Sequence, residues 1–376
     1  MARRARAAID AEFDRRVMAA ALRIGRRHMG QTNPNPAVGC IIVNDARIFI
    51  ADGATAPGGR PHAEQAALAA AGKAAVGATA YVTLEPCAHN GRTKSCTQRL
   101  IDAGVARVVT AMADPDPRTN GAGHAALAAA GIAVTTGVLA DEAARAHSGH
   151  INRIAKGRPH VTLKLAVSAD GMIGRREGER MIITGKPAFD AVQMMRTEFD
   201  VVMVGIGTVL VDDPRLTVRL PKLEKRSPTR VILDQTLRLP PTARLLQSVE
   251  DAPLAIFAGP DAPPERIAAL EASGAVVVQV GVGAGGIDLG AVLGRLAADG
   301  HARVFAEGGA EVASSLVSGD LVDEVVILRA PVVVGADGVR ALAGMALSAI
   351  ERSPRYRLVE TSTVGEDTMR RYVRAA

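Results

Sequence analysis

The sequence predicts a two-domain α/β protein, and three observations lead there. The chain has 376 residues, more than one ordinary core takes up and a comfortable length for two. Apolar strand-like runs alternate with helical stretches through most of it, the pattern of layered α/β folds. That pattern breaks at Ala155-Lys156-Gly157-Arg158-Pro159, which reads as a linker between a first domain at residues 1–150 and a second at 158–376. Hydrophobic residues make up 48% and charged residues 22%, a balance that supports buried cores and excludes a disordered chain.

The elements of the first domain follow in order. Phe13, Val17, Met18, Ala21 and Leu22 recur at helical spacing, so the first helix is amphipathic with its arginines outward. Two β-rich runs, Ala37 to Val43 and Arg47 to Ala51, flank the turn pair Asn44-Asp45 and predict a hairpin. His62 to Ala71 is alanine-rich and helical, Ala78 to Leu84 a strand, Cys96 to Ala103 a helix and Ala106 to Ala113 a strand. A helix and short strand over Gly123 to Val134 and a polar helix at Asp141 to His150 complete it.

The second domain restarts with a strand at His160 to Val167. Further strands are expected at Val201 to Val204, Val231 to Leu233, Leu254 to Ala258, Val276 to Val280, Arg303 to Ala306 and Glu324 to Val334, with helices between most of them. This predicts a doubly wound, mostly parallel sheet, in which ligands sit beyond the carboxyl ends of the strands.

Composition narrows the partners. The longest apolar run, around Val201 to Val211, is far short of the roughly 20 residues that cross a bilayer. Acidic Asp10, Glu12 and Asp14 follow the arginine-rich start and no apolar signal core appears, so a cytoplasmic protein is expected. A net charge of +6 admits nucleic acid or small phosphorylated ligands, but with aromatics at 2% and no Trp the stacking platforms of single-strand binders are mostly missing. A small anionic substrate is the better fit, with neither membrane nor nucleic acid as partner.

Three cysteines are too few for a disulfide framework, so their spacing matters. His62-Ala63-Glu64 is followed, after a strand, by Pro86-Cys87 and by Cys96 on a helix. Taken singly, these are polar residues at a helix start and small buried thiols. Together they match the motif of zinc deaminases, which hold Zn²⁺ with one His and two Cys and keep the fourth position for water. His62, Cys87 and Cys96 are the candidate metal ligands, and Glu64 is the candidate general acid/base that carries protons between water and departing ammonia. Cys40, inside the strand run Val38 to Val43, reads as an inert core thiol.

Eight residues separate Cys87 from Cys96, and the insert contains His89, Gly91 and Arg92. This loop, with Asn33-Pro34-Asn35-Pro36-Ala37-Val38-Gly39 before it and Asp114-Pro115-Asp116-Pro117 after it, resembles the bifunctional deaminase-reductase family of riboflavin biosynthesis. The likeness continues through Lys164-Leu165-Ala166-Val167-Ser168-Ala169-Asp170-Gly171, Gly205 to Thr208, Asp212 to Arg219 and Glu307-Gly308-Gly309, and so covers nearly the whole chain.

The resemblance implies a cytidine-deaminase-like α/β/α domain followed by a dihydrofolate-reductase-like doubly wound domain. It implies deamination of 2,5-diamino-6-(5-phosphoribosylamino)pyrimidin-4-one, then NADPH-dependent reduction of the ribosyl to the ribityl chain, by a homo-oligomer. By the same resemblance Asn35, His89, Arg92 and Asp114 line the deaminase pocket, with Asp116 a further candidate. Thr208, Asp212, Gly308 and Gly309 contact NADPH, and Arg196, Leu216, Arg219 and Glu307 hold the reductase substrate, the two arginines as a clamp on its phosphate. The chain departs from the family pattern at Thr55 (usually His), Lys94-Ser95 (Pro-Pro), Asp116 (Asn), Arg180 (a small polar residue) and Ile182 (Trp). The alternatives are an RNA or nucleotide deaminase with an accessory nucleotide-binding domain, and a non-catalytic nucleotide-binding regulator without zinc.

Overall fold

In the computed structural model, residues 2–89, 94–176, 181–283 and 285–375 are described. The chain divides into two compact units, Met1–Gly157 and Arg158–Ala376.

In the first unit helix α1 (Ala2–Gly25) leads to the hairpin β1 (Gly39–Val43) and β2 (Phe49–Ala54). Then α2 (Ala63–Ala71), β3 (Thr79–Val82), α3 (Cys96–Asp102), β4 (Arg107–Thr110), α4 (Ala122–Ala129), β5 (Ala133–Thr135), α5 (Ala140–Ala146) and α6 (Ser148–Lys156) follow. The sheet order is β2-β1-β3-β4-β5, with β1 antiparallel to both neighbours and β3, β4 and β5 parallel. Alternation along β1 decides the layers. Cys40 and Ile42 face a core with Ala63, Ala67, Leu100 and Leu127, while Ile41 and Val43 face Met18, Ala21 and Ala143. Helices thus cover both faces, as an α/β/α sandwich requires. The polar stretch expected as one helix is two, because α5 ends at Ala146 and α6 continues through Ala155-Lys156. Those two residues are therefore helical, and the non-helical connection is shorter than the composition suggests.

The second unit contains β6 (His160–Val167), β7 (Met172–Arg175), α7 (Lys186–Arg196), β8 (Val201–Gly205), α8 (Ile206–Asp212), β9 (Thr229–Leu233), α9 (Arg244–Gln247), β10 (Leu254–Ala258), α10 (Pro264–Ala272) and β11 (Val276–Gln279). After the short pair β12 (Val282–Gly283) and β13 (Gly286–Ile287) come α11 (Leu289–Ala298), β14 (Arg303–Ala306), α12 (Ala310–Ser318) and β15 (Glu324–Arg329). The chain closes with β16 (Gly338–Arg340), α13 (Ser348–Glu351), β17 (Tyr356–Val364) and β18 (Asp367–Arg374).

Nine of these strands form one sheet in the order β11-β10-β9-β8-β14-β6-β15-β18-β17. It is parallel from β11 to β15 and ends in the antiparallel hairpin β17–β18. The parallel strands are apolar on both faces because helices cover both. Val201 and Met203 pack with Leu293 and Leu316, and Val202 and Val204 with Leu245 and Leu270. The expected strand Glu324 to Val334 stops at Arg329. The hairpin escapes a hydrophobic-run reading because β17 alternates few apolar residues with exposed polar ones.

Candidate active sites

The first site lies at the carboxyl end of β3 and the start of α2. Gly53 on β2 lets that helix approach the sheet, since a Cβ there would lie 2.3 Å from Ala63 O and 2.6 Å from Ala67 N. His62 stands at the N-cap position with extended backbone, and Glu64 falls in the first turn, buried at 4% exposure. Ser95 caps α3 by accepting from Gln98 N at 3.2 Å, which fixes Cys96 at the first helical position. Thr97 Oγ1 donates to the carbonyls of Pro86 and Cys87, so the two cysteine segments are stitched together. Ser95 and Lys94, where the family has prolines, thus serve as a cap and as an ion pair to Asp102 at 2.9 Å.

His62 Nδ1 is 3.3 Å from Cys96 Sγ and 3.9 Å from Cys87 Sγ, and the three donor atoms all lie within 4.8 Å of one another. Tetrahedral zinc holds such donors about 3.5–3.8 Å apart, so these residues fit one metal ion. Cys96 N donates to Cys87 Sγ at 3.3 Å. Hydrogen bonding from Cys96 and His62 pulls the Cys87 thiol down to about 4, the thiolate a metal needs, while Cys96 is pushed up by Cys87 and by burial. Burial, then the neighbouring Cys87, pushes the Glu64 carboxyl up to about 7, a value suited to proton exchange near neutral pH. Cys40 is fully buried and not one of the three converging donors, its thiol pushed well up by burial and then by the neighbouring Glu64.

Around this centre, Asn35 Nδ2 donates to Gly59 O at 2.9 Å, steadying the turn before His62. Asp114 is buried, and its Oδ1 accepts from Asp116 N and meets His150 Nε2, both at 2.9 Å. Asp116 is held by Arg118, whose hydrogen bonds bring its carboxyl down to about 2. His89 is exposed, and its charge acts in the same direction on Asp116. Thr55 is buried, its Oγ1 accepting from Val38 N at 3.0 Å and its carbonyl contacted by His28 Nδ1 at 2.8 Å. Arg92 lies outside the described residues. Sequence reasoning missed His147 between α5 and α6, His150 on α6 and Glu85 before Pro86; only Glu85's adjacency to the Pro-Cys pair could have signalled it.

The second site collects at the carboxyl ends of β8, β14 and β6. Thr208 lies in the first turn of α8, after β8, and Gly308-Gly309 leads into α12 after the neighbouring β14, so two helix N-termini stand at adjacent strand ends. A Cβ on Gly309 would lie 3.4 Å from Thr208 Oγ1, and Gly207 faces open space. Backbone amides at paired helix starts suit the phosphates of a dinucleotide. Asp212 ends α8, and Leu216 is buried with φ +57 in the loop that follows.

Glu307 is the hub. Arg196 Nε and NH2 donate to it at 2.6 and 3.1 Å, and Lys164 Nζ stands 3.6 Å away. Burial raises the Glu307 carboxyl, but Arg196 and Lys164 outweigh it and hold the group below the usual range. Arg196 NH1 donates to Thr217 O at 3.0 Å. The pairing of Arg196 with Arg219 as one phosphate clamp is therefore not what the geometry presents. Arg196 is buried and grips Glu307 and the 215–219 loop, whereas Arg219 is exposed with its guanidinium 5.1 Å from the Phe189 ring centroid. Ile182, at the family's Trp position, is exposed, and Arg180 lies outside the described residues.

A metal-dependent deaminase unit joined to a nucleotide-dependent reductase unit is the class of protein that these folds and sites define. Residues 11–112 match the cytidine and deoxycytidylate deaminase zinc-binding region, and residues 159–369 match the RibD C-terminal domain. The chain is 36% identical over 368 residues to the riboflavin biosynthesis protein RibD of Escherichia coli (strain K12), covering 94% of this chain and 97% of that one. It is also 36% identical over 356 residues to RibD of Aquifex aeolicus (strain VF5), covering 95% and 97%. Acinetobacter baumannii RibD superposes with a TM-score of 0.85 at 34% identity, over 97% of this chain and 100% of that one. A Thermotoga maritima structure described as a diaminohydroxyphosphoribosylaminopyrimidine deaminase/5-amino-6-(5-phosphoribosylamino)uracil reductase has a TM-score of 0.84 at 32% identity, with the same coverage. The chain belongs to the RibD family: it is a bifunctional deaminase and reductase of riboflavin biosynthesis, with a zinc-binding deaminase domain and an NADPH-using reductase domain. Among the described residues no helix is long and apolar enough to cross a membrane.

Proposed function

We propose that the first unit deaminates 2,5-diamino-6-(5-phosphoribosylamino)pyrimidin-4-one at C2 and the second reduces the ribosyl group of the product to the ribityl chain. The convergence of His62 Nδ1 with the two thiols beside a buried carboxyl carries this reading. Zinc, when bound, supplies an acidified water at its open position. Glu64 takes the proton of the attacking water and delivers it to the amine that leaves as ammonia. Asn35, His89, Arg92 and Asp114 orient the base and its ribose phosphate. In the second unit Thr208, Asp212, Gly308 and Gly309 seat NADPH, which supplies hydride for C1′ of the ribosyl group. Leu216, Arg219 and Glu307 hold the substrate, with Arg219 toward the phosphate, and Arg196 keeps Glu307 ionised and in place.

A reducing cytoplasm suits the three free cysteines, and assembly as a homo-oligomer is carried from the family resemblance. The deaminase is assigned to residues 1–150 and the reductase to 158–376, a division supported by family matches that fall inside each part.

Glu64→Gln tests the mechanism. Ammonia release should fall by about 10³-fold or more, while NADPH oxidation with the deaminated substrate stays at the parent rate. Ammonia release at the parent rate in this variant would refute the role of Glu64.

A further inference from the structure

Glu85 follows β3, two residues before Cys87, and is buried at 3% exposure. A carboxylate in such a place needs a full set of donors, and it finds them in the backbone. Its Oε2 accepts from Asp114 N at 3.1 Å and Gly121 N at 2.9 Å, and its Oε1 from Gly123 N at 2.9 Å and His124 N at 3.3 Å. The His124 imidazole stands farther off, Nδ1 at 3.8 Å, with its Nε2 meeting Thr110 Oγ1. Three of the four amides belong to the start of α4, where Gly121 offers no capping side chain. The helix is therefore capped by a residue 36 to 39 positions earlier in the chain.

These bonds join two segments that the chemistry uses separately. One is Glu85-Pro86-Cys87, which carries a candidate metal ligand. The other begins at Asp114 and ends in α4, and its approach is so close that a Cβ on Gly123 would lie 2.3 Å from Pro86 O and 3.1 Å from Glu85 Oε1. We infer that Glu85 is a positioning residue of the deaminase pocket, locking the Asp114–Asp116 loop to the Cys87 segment so that substrate contacts and metal donors keep a constant spacing. The inference rests on the deaminase reading above and adds to it a residue that touches neither metal nor substrate. Substrate-binding groups held out of register with the metal donors grip the substrate less tightly, a loss that falls on KM rather than kcat.

Glu85→Gln preserves shape, but its amide nitrogen cannot accept, so bonds on one side of the carboxylate are lost. In the full-length, zinc-loaded protein, KM for ammonia release should rise about tenfold while kcat changes by less than about threefold. Zinc should remain stoichiometric, amide hydrogen exchange at residues 121–124 should accelerate, and NADPH oxidation with the deaminated substrate should be unchanged. An unaltered KM, or zinc lost in step with activity, would overturn the inference, because the first denies positioning and the second makes Glu85 a support of the metal loop alone. Gly123→Ala, which wedges the same junction without altering the carboxylate, decides the matter if Glu85→Gln does not fold: raised KM at full zinc sustains the inference, and parent KM overturns it. A parent protein that releases no ammonia would instead sink the deaminase reading.

Discussion

The two units build their sites from different materials. The deaminase centre is a convergence of side chains with few substitutes: an imidazole, two thiols and a buried carboxyl, drawn from three short segments. The reductase site is mostly backbone, with two helix starts at adjacent strand ends and a buried Arg196–Glu307–Lys164 cluster drawn from three separate segments. Metal chemistry demands particular donor atoms, whereas a cofactor's phosphates need only amides that many sequences can present. Loss of function in the first site should therefore be abrupt and metal-linked, and in the second graded and electrostatic.

The sharpest way to break this contrast is Cys96→Ala. Metal content should drop from one zinc per chain to none, measured by elemental analysis, and ammonia release should fall by about 10⁴-fold or more. NADPH oxidation should survive. Retained zinc would show that two donors suffice, and the contrast would lose its basis.

Glu307→Gln probes the other site. One carboxylate oxygen disappears and Arg196 is left buried with its charge uncompensated, a loss of about 3 kcal/mol for a broken buried pair. NADPH oxidation should fall about 10²-fold, with ammonia release intact. Steady-state assays of the two half-reactions on one preparation would check this, and a parent-like reductase rate would remove Glu307 from the site.

The smallest effect concerns acid stability of the deaminase unit. His147 is buried against Thr83, whose carbonyl and Oγ1 lie 3.2 and 3.1 Å from its Nε2, and burial lowers its pKa to about 4. The unfolded chain, with an ordinary histidine near 6.5, binds the proton first as pH falls. Stability is therefore fully present above about 6.5 and is lost progressively as pH drops toward 4. Between pH 7.5 and 5.5 the loss should be about 1.4 kcal/mol, read from denaturant melts, and His147→Gln should remove that portion of the slope. An unchanged slope in the variant would assign the acid sensitivity to other groups.

Much of this was open to reading before any coordinates. The H-A-E and P-C elements with the second cysteine named the metal donors, and alternating apolar runs located most strands, because donor chemistry and the period of burial are local properties of a chain. The β17–β18 hairpin was hidden by its polar exposed face, and the last turn of α6 by the composition of Ala155-Lys156, which reads as linker. The partners of Glu85, Arg196 and Asp114 were equally out of reach. Each bonds across 29 to 111 positions, and an ion pair or a backbone cap formed at that separation leaves no spacing in the sequence. The residues alone determined which atoms could do the chemistry. Tertiary packing decided which of them are held still, since only the folded chain brings a buried carboxylate to amides from another layer.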